Sequence, residues 1–186
     1  VFDITPSIEH YACMVDILGR AGKFNEMEHF IEGMELDPDV LIWETVLGVC
    51  KVHGNVELAE KAANTLFEID PKAESSYILL SNIYAAKGRW ADVAEVRALM
   101  SRNGVKKEPG CSWVEIDNQV HVFLPQDASH PRLKDIHEKL EELASGITAA
   151  GYIPNTKYVL HNVSDKEKMD NLSHHSERLA LAFALL

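Results

Sequence analysis

The sequence predicts a mainly α fold: a solenoid of helix–turn–helix units followed by a small α+β region. Three observations carry that expectation. An aromatic residue stands eleven positions before a glycine three times over, in Tyr11 to Gly22, Trp43 to Gly54 and Tyr77 to Gly88. The aromatics are 32 and then 34 residues apart, and the glycines keep the same spacing. Beyond Gly104 helical periodicity gives way to two short alternating segments before helical patterns resume.

Each element follows from local chemistry. In the first helix of a unit the apolar positions recur at helical spacing, as in Tyr11, Met14, Val15 and Leu18. The glycine then ends that helix, because it tolerates the left-handed conformation of a C-terminal cap. A second amphipathic helix follows, predicted over Asn25–Met34, Val56–Ile69 and Trp90–Asn103. Asp37-Pro38 and Asp70-Pro71 separate the copies, since the residue before proline disfavours helix. Tyr11, Trp43 and Tyr77 are read as core packing inside each unit. A period of this length with two helices per unit admits tetratricopeptide-type arrays, which recruit peptides, and pentatricopeptide-type arrays, which read single-stranded RNA.

The second region begins with the turn signal Pro109-Gly110. Trp113–Ile116 and Val120–Phe123 read as strands around an Asp117-Asn118 turn. Alternation places Val120 and Val122 on one face and His121 and Phe123 on the other, with His121 expected at the surface. Pro131 suits the first turn of a helix running to about Ala150, with Leu133, Ile136, Leu140, Leu143 and Ile147 as its apolar stripe. Tyr152–Leu160 is expected as a connector with a short strand. Ser164-Asp-Lys-Glu167 has capping-box form and opens one last helix through Ser173–Arg178 to Leu186.

Composition narrows the function. At 186 residues with 46% hydrophobic and 25% charged side chains, the chain is globular rather than disordered. No apolar run reaches the ~18 residues of a membrane span. Cys13, Cys50 and Cys111 show no metal-ligand or redox spacing and suit a reducing compartment. Net charge is -11, which argues against gripping nucleic-acid phosphates over the whole surface. Residues 1–103 hold 9 basic and 17 acidic side chains, so the deficit is concentrated there. The chain opens on Val1 with no charged-then-apolar leader, and it reads as a fragment.

One pair of residues has chemical interest. His175 and Glu177 stand two apart, the spacing at which a zinc deaminase places a metal-ligating histidine and a proton-shuttling glutamate. No Pro-Cys-x-x-Cys segment follows Glu177. From spacing alone, a solvated stripe on an amphipathic helix is the preferred account of the pair. There is no glycine-rich phosphate loop, nucleophile elbow or two-histidine zinc-protease motif.

Several longer strings occur together: Glu9 to Gly22, Val52-His-Gly-Asn-Val-Glu57, Leu79 to Ala86, Lys107-Glu-Pro-Gly-Cys-Ser-Trp113, Ser129-His-Pro131, Ala150-Gly-Tyr-Ile-Pro154 and His175-Ser-Glu-Arg-Leu-Ala180. In this order they resemble the C-terminal part of plant pentatricopeptide-repeat proteins of the PLS class, the kind associated with organellar RNA editing. The resemblance implies a last repeat over 1–39, two E-motif helix pairs over 40–73 and 74–105, and a PG box with hairpin over 106–128. It assigns 129–186 to the E+ region and the beginning of a DYW deaminase domain, a truncated cytidine-deaminase-like region. His175 is then the first zinc ligand and Glu177 the catalytic acid/base of cytidine-to-uridine deamination, with zinc as cofactor only in a completed domain. The sequence stops before the family's paired cysteines and terminal Asp-Tyr-Trp, so this segment alone is expected to hold no catalytic zinc and to be no competent enzyme. A longer native chain or a deaminase supplied in trans would complete it.

The family's base-reading positions fall on Ala12 and Asp39. Ala12 has no side-chain hydrogen-bonding group, so little base selectivity is implied there. Single-stranded organellar RNA is then bound by repeats upstream of this segment, in a mitochondrion or chloroplast. The rival functions are a repeat module for RNA splicing, stabilisation or translation, an intact zinc deaminase in a longer chain, and a peptide-binding scaffold. The helix 179–186, apolar nearly all round, is expected inside a core or in self-association or partner contact, without a membrane.

Overall fold

The computed structural model describes residues 5–125 and 129–186. Residues 1–4 of the expected first repeat and 126–128 of the expected hairpin segment lie outside the described residues. The chain divides into two compact units, Val1–Lys107 and Glu108–Leu186.

The first unit is a stack of helix pairs: α1 (Ile8–Arg20) with α2 (Phe24–Glu32), α3 (Val40–His53) with α4 (Val56–Ile69), and α5 (Glu74–Ala86) with α6 (Trp90–Arg102). Helices α1, α3 and α5 pack in succession, and α4 also touches α5. The capping residues explain the starts. The Asp39 carboxylate accepts from the Ile42 amide at 3.2 Å, and the Asn55 side chain accepts from the Leu58 amide at 3.2 Å. Gly22, Gly54 and Gly88 end the first helices at φ of +72°, +66° and +71°, as their place in the repeat predicts. Helix α2 stops at Glu32, short of the expected Met34, because Gly33 closes it.

The residues before Gly54 and Gly88 reach back to the preceding helix pair. His53 donates from Nε2 to the Arg20 carbonyl at 3.1 Å, satisfying an acceptor that the end of α1 leaves open. Its ring also stands edge-on to Phe24 at 5.3 Å. At the next step, a Cβ on Gly54 would lie 2.8 Å from Lys87 Nζ, so the Lys87 side chain lies over that turn. Tyr77 is fully buried and stacks on Phe67 at 4.3 Å. Its hydroxyl donates to the Pro71 carbonyl at 2.7 Å and accepts from Asn103 at 2.7 Å. The aromatic of the repeat is therefore a core residue in this copy. Cys50 is buried as well, which pushes its thiol pKa up to about 12 and keeps it inert.

Helices α1 and α3 approach closely at Gly19, which lies in the last turn of α1. A Cβ there would meet Val49 Cβ at 2.8 Å and Cγ1 at 2.9 Å. Alanine favours helix over glycine, yet Val49 is stiff about its own χ1 and has nowhere to turn. Gly19→Ala is expected to destabilise the unit by about 1–3 kcal/mol. Adding Val49→Ala should recover part of that loss in denaturant titrations. Stabilisation by Gly19→Ala alone would contradict the close approach.

The second unit joins a hairpin to helices. Strands β1 (Ser112–Ile116) and β2 (Gln119–Phe123) pair antiparallel, Ser112 opposite Phe123 and Val114 opposite His121. Asp117 and Asn118 form the predicted turn at φ of +51° and +60°, as a two-residue hairpin with the twist of its strands demands. Helix α7 (Leu133–Ala149), α8 (Asp165–Ser173) and α9 (Ser176–Ala184) follow, with a single 3-10 turn at Thr156–Tyr158. Phe123, Ile136, Leu179, Ala180, Ala182 and Phe183 form the core.

Four expectations for this unit are corrected. His121 is half-buried rather than a surface residue: its ring packs on Phe183 at 4.5 Å and its Nδ1 lies 3.1 Å from His130 Nε2. The opposite face carries the exposed Trp113, Val120 and Val122. Pro131 precedes the helix in a turn instead of entering it, and Arg132 caps α7. The connector 152–160 forms the 3-10 turn and no strand, the Asn155 side chain accepting from the Lys157 amide. The expected single last helix is two. The predicted capping box is present, with the Glu167 carboxylate accepting from the Ser164 amide at 2.9 Å, but the chain breaks after Ser173. His175 is extended at ψ 147° and starts a new helix.

Candidate catalytic turn at the start of the last helix

The break between α8 and α9 sets the geometry of the site. No residue of α8 is buried, whereas α9 presents Ser176, Leu179, Ala180 and Phe183 to the core at helical spacing. The exposed α8 and the core-packed α9 are separate helices, and the chain turns at His174–His175. His174 donates from Nδ1 to the Asp170 carbonyl at 3.1 Å, closing the end of α8. His175 becomes the N-cap of α9 and Glu177 lies in its first turn.

Both side chains face solvent, 53% exposed for His175 and 69% for Glu177, and His175 Nδ1 contacts Glu177 Oε2. Between them Ser176 is 2% exposed, and its hydroxyl lies 3.0 Å from that of Ser112 on β1. The structure therefore brings His175 and Glu177 together at an accessible turn. An imidazole and a carboxylate in contact can bind a cation and pass a proton. Beside the turn, an apolar cleft of about 630 Å³ runs between α7 and α9, lined among others by Leu140, Leu143, Ile147, Tyr152, Arg178 and Leu181.

A catalytic or structural zinc ion takes three or four protein ligands. Among the described residues no group of three or more His, Cys, Asp or Glu side chains could hold a metal ion. The His175–Glu177 pair supplies one imidazole and one carboxylate, and this donor set does not fit zinc by itself. Cys111 is exposed just before β1, and Cys13 is exposed on α1.

The other sequence-chosen positions lie in the helix stack. Ala12 is 8% exposed within α1, and the Asp39 carboxylate is engaged in capping α3. Sequence reasoning passed over Ser112 and Ser176. The signal was available, because Ser176 begins the 176, 179, 180, 183 stripe on which a lone hydroxyl needs a partner.

A helical ladder and a hairpin-and-helix unit bearing an exposed His–Glu turn define a repeat protein with a second, α+β unit. Comparison with known proteins agrees. The E motif family matches residues 53–115, and the DYW family of nucleic acid deaminases matches 151–186. A chloroplastic pentatricopeptide repeat-containing protein of Arabidopsis thaliana is 49% identical over 185 residues, all of this chain and 25% of the relative. A mitochondrial one from the same plant is 45% identical over 186 residues, all of this chain and 30% of the relative. The rice mitochondrial pentatricopeptide repeat-containing protein OGR1 is 45% identical over 183 residues, 98% of this chain and 31% of the relative. The chain belongs to the plant pentatricopeptide-repeat family, in its E-motif and DYW-deaminase part. It spans about a quarter to a third of the length of these relatives.

Proposed function

We propose that this chain is the C-terminal module of an organellar C-to-U RNA-editing specificity factor, coupling RNA-reading repeats to a cytidine deaminase domain. One observation carries the reading: within the deaminase match, His175 and Glu177 meet at an exposed turn that the hairpin and α9 hold together. In that role Glu177 would take a proton from the attacking water and return one to the cytidine, and His175 would be one ligand of a zinc ion that acidifies that water. The remaining ligands come from elsewhere in the full-length protein or from a deaminase partner. The names of the relatives support a chloroplast or mitochondrion as the site of action.

The helix stack of this segment plays a different part. Ala12 and Asp39 offer little base selectivity, and an acidic first unit suits protein partners better than phosphates. Base reading then falls to upstream repeats contacting single-stranded RNA. Leu181, Leu185 and Leu186 remain exposed at the end of α9, which supports contact with a protein partner or a second copy. A chain that stays monomeric at high concentration would count against self-association.

The test is organellar transcript sequencing in plants lacking the parent gene. Loss of editing at one or a few cytidines is the expected result. Unchanged editing with altered splicing or transcript ends would favour a second reading, a binding module without deaminase activity.

A further inference from the structure

A hydroxyl buried on an apolar helix face is costly unless it finds a hydrogen-bond partner. Ser176 is such a group, 2% exposed on the stripe that carries Leu179, Ala180 and Phe183 into the core. Its partner, 3.0 Å away and 64 residues earlier in the chain, is the Ser112 hydroxyl at the start of β1. Ser112 lies in the inward-facing register of the hairpin with Val114 and Ile116.

The bond constrains α9 in a way that its apolar contacts do not. An apolar stripe resting on other apolar groups tolerates a small roll or slide of the helix, because dispersion contacts have little directionality. A hydrogen bond weakens steeply with misalignment, so it fixes both roll and axial position where it is made. It is made here at the first residue of α9, between His175 in extended conformation and Glu177 on the first helical turn. Consecutive helical residues are turned about 100° apart, so a roll of that turn swings Glu177 relative to the His175 cap.

We propose that Ser112 and Ser176 are positioning residues: their hydroxyl–hydroxyl bond holds the first turn of α9 so that the His175 imidazole and the Glu177 carboxylate stay together. The proposal rests on the reading of those two residues as partners at one reacting centre. It also gives the Pro-Gly-Cys-Ser-Trp segment a task, that of anchoring this turn from the hairpin side.

The experiment uses the full-length protein with Ser112→Ala, Ser176→Ala, the double variant and Ser112→Thr, which keeps the hydroxyl. Amide exchange over 175–179 and the editing rate at saturating RNA are measured together with thermal stability. Each alanine variant is expected to speed exchange about five-fold, the factor that one hydrogen bond of ordinary net strength carries. Editing should slow several-fold at unchanged RNA affinity, and Ser112→Thr should retain both properties. The double variant removes the orphaned hydroxyl, so thermal stability returns towards the native value while exchange and editing stay impaired.

A merely structural bond predicts that editing recovers with stability in the double variant, and that result overturns the proposal. Native exchange at the turn in both single variants overturns it too. So does unchanged editing in Ser112→Ala when Glu177→Ala is inactive. If Glu177→Ala edits normally while exchange responds as expected, the reading of Glu177 falls and the anchoring of the turn stands.

Discussion

Glu177→Ala in the full-length protein is expected to lower editing at its target cytidine by about 10²–10⁴-fold, the usual contribution of a positioned acid/base. Fold and RNA binding should be untouched. The side chain is 69% exposed and its contact in the structure is with His175, itself 53% exposed, so its loss opens no cavity and leaves no buried group unpaired. The measurement is editing rate alongside RNA affinity and melting temperature. Glu177→Gln is the sharper companion, since it keeps the shape and removes the proton acceptor. Normal editing by either variant would remove Glu177 from the chemistry and leave the turn as an ordinary helix start.

Phe183→Ala is expected to cost about 3–5 kcal/mol, the range for deleting a buried aromatic ring. Few domains have much more than twice that in reserve. Phe183 is 5% exposed, and its ring lies 4.5 Å from His121, 4.6 Å from His130 and 5.7 Å from Phe123. The Arg132 guanidinium stands 5.9 Å from the ring centre on the same side chain. One ring thus joins the second strand, the approach to α7 and the last helix. Segment-resolved hydrogen exchange should show protection lost over the hairpin and α9 and kept in α3. Leu181→Ala is the control: that side chain is 55% exposed, and its removal should stay within about 0.5 kcal/mol. Equal effects of the two variants would contradict the assignment of Phe183 to the core.

The helix stack was legible because several signals agree at each boundary. Helix α4 falls on Val56–Ile69 as predicted, since Asn55 caps it and Asp70-Pro71 ends it. The left-handed glycines and the Asp117-Asn118 turn likewise have one local cause each, and the sequence states it. The second unit was harder to read because its decisive contacts are distant in sequence. Alternation separated His121 from Val120 correctly, but which face turns inward depends on Phe183, 62 residues later. The break at His174–His175 has no glycine or proline to announce it. It coincides with the change from the exposed α8 to the core-packed α9, which appears only once α9 meets the hairpin. At the candidate site, the roles of His175 and Glu177 came from the family resemblance and not from their spacing, and the serine between them was passed over because its partner Ser112 is 64 residues away.

Stacking by pairs has a consequence for how the first unit fails. Helix α3 touches α1, α4 and α5, so the middle pair leans on both neighbours, while α2 and α6 each lean chiefly on their own partner. Cooperativity in such an array is short-ranged, and the free energy of opening rises from the ends towards the middle. A lesion near Gly19 should therefore fray the stack from that side like a zip, one pair at a time. The bridges His53 to Arg20 and Lys87 over Gly54 are the teeth of that zip, and each transmits damage only as far as the next tooth.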